Sequence, residues 1–532
     1  MKLLRRFILL TLLITLLLSM NAFADEIRVR IRSPRLENEF FTISSDDTMK
    51  LFYHQDGTDQ PIMPLPSKMI HLRVNGYYSS HENYRFYNTQ QLSTNIGPYG
   101  LILTDYRETN YESIKKRQQE IASQFGLKTY IYTNGNSFQL WTGQYLTLDA
   151  ARNARDSIRQ DYDLNVIIND NIEMILLYNH ENDLMVALAN DYRFFIKNDH
   201  PDRNYVNIDG KPYRGSVGGY IIEGNRLLSI NKVAIEAYLK GVVASEMPAS
   251  WPLEALKVQA IAARSYALSL IGPIHASPYD AQDNQNSQVY NGIWGEREST
   301  NKAVEETKGQ LIYYNDTVIA AYYHSTSGGS TDNSENVWRN PLPYIRGVDD
   351  PYSNISPYTE WHIALSEEKL LSALRENGYR ANKIYDIYEK NLSEFNRVLE
   401  LAIVTDIGEI ILEKEETRTV LGYSNLRSTW YAFEGNQQAS IMTANGLSNK
   451  TLGGQNVLTT QGYKPILYKT EMPVLTANGT VHQSTSPDSY DVYGRGFGHG
   501  LGLSQYGARG MADAGYNYIE IIQYYYTGVE VK

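Results

Sequence analysis

A carboxylate at a break between two apolar helices is the residue of this sequence best placed for acid–base chemistry. Residues 233–245 have helical spacing, with Ala234, Ile235, Tyr238, Leu239, Val242 and Val243 along one stripe. They run into Glu246-Met247-Pro248. Pro248 and Pro252 disfavour helix at the residues before them, and Pro252 suits a first helical position. Residues 253–270 then read as a long Ala-rich helix, in which Ala260, Ala262, Ala263 and Ala267 permit close packing on several sides. Glu246 is expected at the break, partly desolvated, where a raised pKa suits a general acid. Arg264 is a lone charge in the Ala-rich helix, and a buried guanidinium needs a partner. On composition alone a plainer reading stands ahead: Glu246 as a surface helix-end acid and Arg264 as a side chain that snorkels to water.

Two other segments invite chemistry. Glycines alternate at 494, 496, 498, 500 and 502. The spacing is not G-x-G-x-x-G and no Gly-Lys-Ser/Thr follows, so a phosphate loop is excluded. Alternation clears one face of a strand or lets backbone approach a flat ligand; with His499, Gln505 and Tyr506 it would line a sugar groove, and tight core packing without a ligand explains the glycines equally well. The run His324-Ser325-Thr326-Ser327-Gly328-Gly329 lacks a nucleophile elbow, and adjacent His and Ser do not form a triad. It reads as a polar turn with Ser325 and Ser327 as sugar donors. Asp280, Asp283, Asp332 and Glu335 are acids that cap turns or supply a second carboxylate.

The positioning elements fall into several domains, since 532 residues exceed what one core holds. The formal charge of -11 argues against a general nucleic-acid binder. The absence of Cys removes disulfides, thiolate metal sites and a cysteine nucleophile. Residues 1–24 combine Lys2, Arg5 and Arg6, an apolar run and Ala22-Phe23-Ala24, the pattern of a signal peptide. An exported protein of the cell wall, or of the outer face of the cytoplasmic membrane, is expected; a membrane anchor follows only if the segment is retained. Residues 25–97 are rich in short alternating runs that read as strands, and no function is argued for them. Residues 98–169 read as strand, helix, two strands, helix, strand, with Gly126 ending the first helix and Asn134-Gly135-Asn136 turning a hairpin. Residues 170–532 read as one larger mixed unit. The fold class is α+β and multidomain.

The element order of 98–169, with Phe138-Gln139-Leu140-Trp141-Thr142-Gly143-Gln144-Tyr145 ahead of Ala150, resembles the SPOR domain, a small module that binds glycan strands lacking stem peptides. The stretch 231–248, ending Ala244-Ser245-Glu246-Met247-Pro248, and its continuation through Gln259-Ala260-Ile261-Ala262-Ala263-Arg264-Ser265-Tyr266-Ala267 resemble the signature of the SpoIID/LytB family of stage II sporulation protein D and amidase-enhancer relatives. So do Ser287-Gln288-Val289-Tyr290-Asn291-Gly292, residues 323–329 and residues 494–508, in the family's order over about 300 residues.

The resemblance implies a lytic transglycosylase of denuded peptidoglycan, with the catalytic acid at Glu246 and its supporting arginine at Arg264. Gln288, Tyr290, Ser325, Ser327, His499, Gln505 and Tyr506 are the expected substrate-binding residues. The implied partners are peptidoglycan glycan strands and, in the enhancer branch, a cell-wall amidase. A glycan-binding activator without catalysis is the alternative. Some relatives hold zinc with His and Cys; without Cys that site is not carried over, and His275, His324 and His499 lie far apart in the chain. No metal or other cofactor is expected.

Overall fold

The computed structural model describes residues 26–32, 40–82, 85–169, 171–200, 203–223, 226–273, 276–435 and 485–532, and between them 438–443, 446–453, 455–459, 462–467, 471–476 and 479–484. The signal-peptide reading of residues 1–24, and His275, fall outside the described residues. Helices and several separate sheets make the chain a mixed α+β protein. No helix among the described residues is long and apolar enough to cross a membrane. Two compact units result. One takes the described residues up to Pro248 with Ala267–Glu305, the other Ala249–Tyr266 with Glu306–Lys532.

Two large sheets, of seven and ten strands, dominate the first unit. In the strand Met49–Gln55, Met49, Leu51 and Tyr53 are buried while Lys50, Phe52 and His54 are half-buried, the period-2 pattern of a strand packed on one side. The ten-stranded sheet includes the four strands of 98–169: Tyr99–Glu108, Tyr130–Thr133, Phe138–Tyr145 and Val166–Asn169. Helix α1 (Tyr111–Phe125) starts where the Asn110 side chain accepts from the Ser113 N–H, and stops at Gly126, whose φ is 65°. Helix α2 (Leu148–Tyr162) is capped in the same way by Thr147. Both helices pack on these strands. The element order is that expected from the sequence. The sheet continues beyond the segment, because Tyr130–Thr133 also pairs in parallel with Leu184–Ala189.

The seven-stranded sheet delivers the acid. Its strand Arg226–Ala234 lies between Glu26–Ile31 and Ser216–Ile222. Helix α3 (Ile235–Glu246) follows without a linker. Ile235, Tyr238, Leu239, Val242 and Val243 form its buried stripe. Met247 is extended, at φ -126° and ψ 140°, so Glu246 is the last helical residue. The following Pro248 disfavours the helical conformation at Met247.

Helix α4 (Leu253–Leu270) contributes its residues through Tyr266 to the second unit. Ala255, Leu256, Val258, Gln259, Ala260, Ile261, Ala262, Ala263, Arg264 and Ser265 are all buried, so the helix is enclosed around most of its circumference. Small side chains permit that approach. Near the C-terminus come helices α5 (Gln505–Asp513) and α6 (Tyr518–Tyr525), the latter opened by a capping box between Asn517 and Glu520. A separate core gathers Trp361, Leu365, Leu370, Leu374, Leu401 and Val492.

Candidate active site

In the first unit the C-terminal end of α3 is clasped by the loop 288–295. Glu246 is half-buried, and its Oε1 accepts the Val289 N–H at 2.8 Å. That bond fixes the orientation of the carboxyl group. One residue earlier, Ser245 Oγ donates to the Gly241 carbonyl and accepts from Asn291 Nδ2 at 3.0 Å. Gln288 and Tyr290 flank Val289 and point inward. Gln288 is fully buried and its Oε1 accepts from Tyr238 OH at 3.2 Å. Tyr290 is 2% exposed, donates to Asn231 Oδ1 at 3.1 Å, and packs between Tyr213 and Tyr238. Both residues were read from the sequence as sugar contacts. In the structure they are closed off from solvent and hold the loop that holds Glu246.

The closeness of this clasp is testable. A Cβ on Gly241 would lie 2.7 Å from the Tyr290 ring and 2.9 Å from the Gly292 carbonyl. Gly241→Ala is therefore expected to cost about 1–3 kcal/mol of stability. Hydrogen exchange at the Val289 amide should quicken as the loop is levered off α3.

The acids named from the sequence are engaged elsewhere. Asp280 pairs with Arg28 at 2.6 Å, both buried. Asp283 accepts from the Arg32 N–H, and burial raises its pKa. Asp332 is buried under Ser393, Asn333 and Asn336. Glu335 is gripped by Arg346, which holds its pKa down at about 2. Among the described residues no three His, Asp or Glu groups converge as a metal site.

The remaining named residues lie in the second unit. Arg264 is buried and its Nη1 donates to the Gln310 carbonyl at 3.2 Å. It does not snorkel to water. Gln505 Nε2 donates to Gln259 Oε1 of α4, and the Tyr506 ring meets Trp251 edge-on at 4.9 Å. The glycine-rich segment lies against residues 322–327. Thr326 and Phe497 exchange backbone hydrogen bonds, Leu503 N–H donates to Tyr322 O, and Tyr506 N–H donates to Ser325 O. The segment is not a clean alternating strand: Gly496, Gly498, Gly500 and Gly502 all have positive φ. At Gly502 φ is 62° and a Cβ would lie 2.4 Å from the Tyr322 carbonyl. Gly502→Ala is expected to lower the second unit's resistance to denaturant by more than about 1–3 kcal/mol, since strain adds to overpacking. Close backbone packing is thus what these glycines provide.

Beneath the segment lies a buried polar layer. Ser327 is fully buried and donates to Asp350 Oδ2 at 2.7 Å, which Tyr525 OH also reaches, through Oδ1, at 2.8 Å. Ser325 is half-buried. The Leu501 N–H donates to His499 Nδ1, so the proton sits on Nε2, which donates to Tyr323 O at 3.0 Å. His324 Nδ1 donates to Leu501 O at 3.1 Å, and its ring faces His499 at 5.4 Å between centroids. Burial holds His324 well below the usual histidine range and His499 down at about 3. His499 is therefore a neutral, backbone-tied residue. Arg397, buried beside them, donates through Nη2 to Ser327 O and Ser330 O. Arg397 and Asp350 were not singled out from the sequence; neither sits in a pattern that marks it. The Val289 amide was missed for a different reason, since a backbone donor has no residue signature.

Comparison with known proteins gives these placements a context. A family model described as SpoIID, stage II sporulation protein, matches residues 223–314. An amidase enhancer of Bacillus subtilis is 32% identical over 338 residues, which is 61% of this chain and 44% of that protein. The chain thus spans less than half the length of that relative. An uncharacterized protein of Brachyspira hyodysenteriae is 30% identical over 325 residues, 61% of this chain and 73% of that protein. Stage II sporulation protein D of Bacillus subtilis is 30% identical over 323 residues, 57% of this chain and 76% of that protein. The matched model covers α3, its clasping loop and α4. The shared stretch is thus the one that carries Glu246 and Arg264, and this chain belongs to the SpoIID family.

Proposed function

We propose that this protein is a peptidoglycan lytic transglycosylase. It cuts denuded glycan strands between muramic acid and glucosamine residues, in cell-wall remodelling linked to sporulation. The observation that carries the reading is Glu246, a half-buried carboxyl at a helix end, oriented by the Val289 amide on a loop packed around Gln288 and Tyr290. Membership of the SpoIID family, with relatives named stage II sporulation protein D and amidase enhancer, supports the cell-wall setting.

One carboxyl group suffices for this reaction. Glu246 in its acid form protonates the glycosidic oxygen as the bond to the muramic anomeric carbon breaks. The primary hydroxyl of the same muramic residue attacks that carbon, and the Glu246 carboxylate takes its proton. The nucleophile is intramolecular, so proximity replaces an activated water and a second carboxylate. The product is an anhydro-muramic end, and Glu246 returns to its acid form. Arg264 acts in this reading as a positioning residue of α4, through its bond to the Gln310 carbonyl. Residues 98–169 serve as a SPOR-like module that concentrates the enzyme on stripped glycan, and linkage of two modules for one polymer raises effective concentration. Export through residues 1–24 completes the proposal.

A second reading rests on the relative named amidase enhancer: a glycan-binding activator of a cell-wall amidase. Mass spectrometry of denuded strands incubated with the protein separates the two. Anhydro-muramic ends support the enzyme. Intact strands that co-sediment with the protein, together with a stimulated amidase, support the activator.

A further inference from the structure

The loop that orients Glu246 also displays a ring. Trp294 lies in the short 3-10 turn Gly292–Gly295 and is 62% exposed. It is the only one of the six tryptophans that stays exposed. An indole left in water forgoes the burial that usually makes tryptophan stabilising. The backbone that carries it is nevertheless tied down. Asn291 bonds to Ser245 on α3, and a Cβ on Gly295 would lie 2.8 Å from the Gly241 carbonyl. Glu296 takes both arms of the Arg214 guanidinium at 2.6 and 2.9 Å. Arg297 Nη1 donates to the carbonyls of Trp294 and Glu296 at 2.9 and 2.7 Å. The ring is therefore held out on a fixed turn.

Beside the turn is a shallow cleft of about 490 Å³, walled by Glu296, Arg297, Glu298, Asn301, Lys302 and Glu305. An exposed flat ring beside a cleft of mixed carboxylate and basic side chains has the chemistry of a neutral pyranose site. Axial C–H bonds of the sugar lie on the indole face, and hydroxyl and acetamido substituents meet the carboxylates and basic groups of the polar wall. The alternation of charge around the cleft does not suit an apolar protein or lipid face. Its position also fits. Trp294 lies five positions after Val289, a reach of at most about 18 Å, which is a few sugar units from the carboxyl that Val289 holds.

We propose that Trp294, beside Arg297, is a sugar-stacking subsite that binds a pyranose of the glycan strand a few units from the bond at Glu246. The inference rests on the glycan-cleaving reading above. The test uses the full chain in a Glu246→Gln background, so that strands stay intact, with amidase-stripped glycan strands as the probe. Trp294→Ala should weaken binding about ten-fold, the scale of one aromatic stack. Trp294→Phe should recover most of it, and thermal unfolding should stay unchanged because the ring supports no core. In the parent, saturating glycan should also shield Trp294 from acrylamide quenching, a change missing in Trp294→Phe. Equal affinity of parent and Trp294→Ala, or quenching unaffected by glycan, overturns the subsite and leaves the enzyme reading standing. A parent that binds no stripped glycan at all overturns the glycan reading, and this inference with it.

Discussion

Glu246→Gln is expected to abolish release of anhydro-muramic ends, by about 10²–10⁴-fold or more, while binding of denuded strands survives. The substitution keeps the side chain's size and one carbonyl oxygen. The Val289 N–H, now 2.8 Å from Oε1, retains an acceptor, and the clasp with the loop 288–295 persists. What is lost is the proton that the leaving oxygen needs. Glu246→Asp keeps the acid but draws it back by one methylene, so it should fail nearly as badly, because a displaced donor forfeits the geometric advantage. The measurement is mass spectrometry of strand ends beside co-sedimentation of intact strands. Cleavage retained in Glu246→Gln would falsify the assignment of the acid. Loss of both cleavage and binding would make Glu246 a structural residue. An amidase still stimulated by Glu246→Gln would show that any activating role is independent of catalysis.

Acid should loosen the second unit before it titrates ordinary carboxylates. His499, held at about 3 against an ordinary 6.5, is neutral when folded and takes up a proton readily when unfolded. Below pH 6.5 the unfolded state therefore binds more protons, and stability falls as pH drops from about 6.5 toward about 3. It is fully present above 6.5. At pH 5 the loss from His499 alone is about 2 kcal/mol, and His324, also depressed, adds to it. The cause is burial, reinforced by Arg397 and Arg418, whose positive charges disfavour an imidazolium in either ring. Asp350, raised by its own burial, works in the opposite sense, since its protonation relieves a buried charge. Hydrogen exchange of the segment 495–506 between pH 7 and pH 5 checks the balance. Protection factors, corrected for the intrinsic slowing of exchange in acid, should fall toward pH 5 in the parent and lose most of that slope in a His324→Asn, His499→Asn double variant. An unchanged slope would place the acid sensitivity elsewhere.

The sequence by itself determined the elements that carry the site. The apolar stripe of α3, Pro248 at its end and the Ala-rich run of α4 fixed where two helices lie and where the first stops, because helical period and proline sterics are local. The capped helices and hairpin of 98–169 were legible for the same reason. The motif order identified the family. The direction of individual side chains was not legible. Gln288, Tyr290 and Ser327 look like polar groups available to a sugar, yet all three are buried, with hydrogen-bond partners such as Tyr238, Asn231 and Asp350 supplied by distant segments. Glycines at alternate positions suggested a cleared strand face, whereas the backbone there turns through positive φ against residues 322–327. Tertiary structure alone decided that Arg264 is buried, that Arg397 lies beside two neutral histidines, and that Trp294 remains in water. Burial is set by what packs against a residue, and those partners lie tens to hundreds of positions away, beyond the reach of any local pattern.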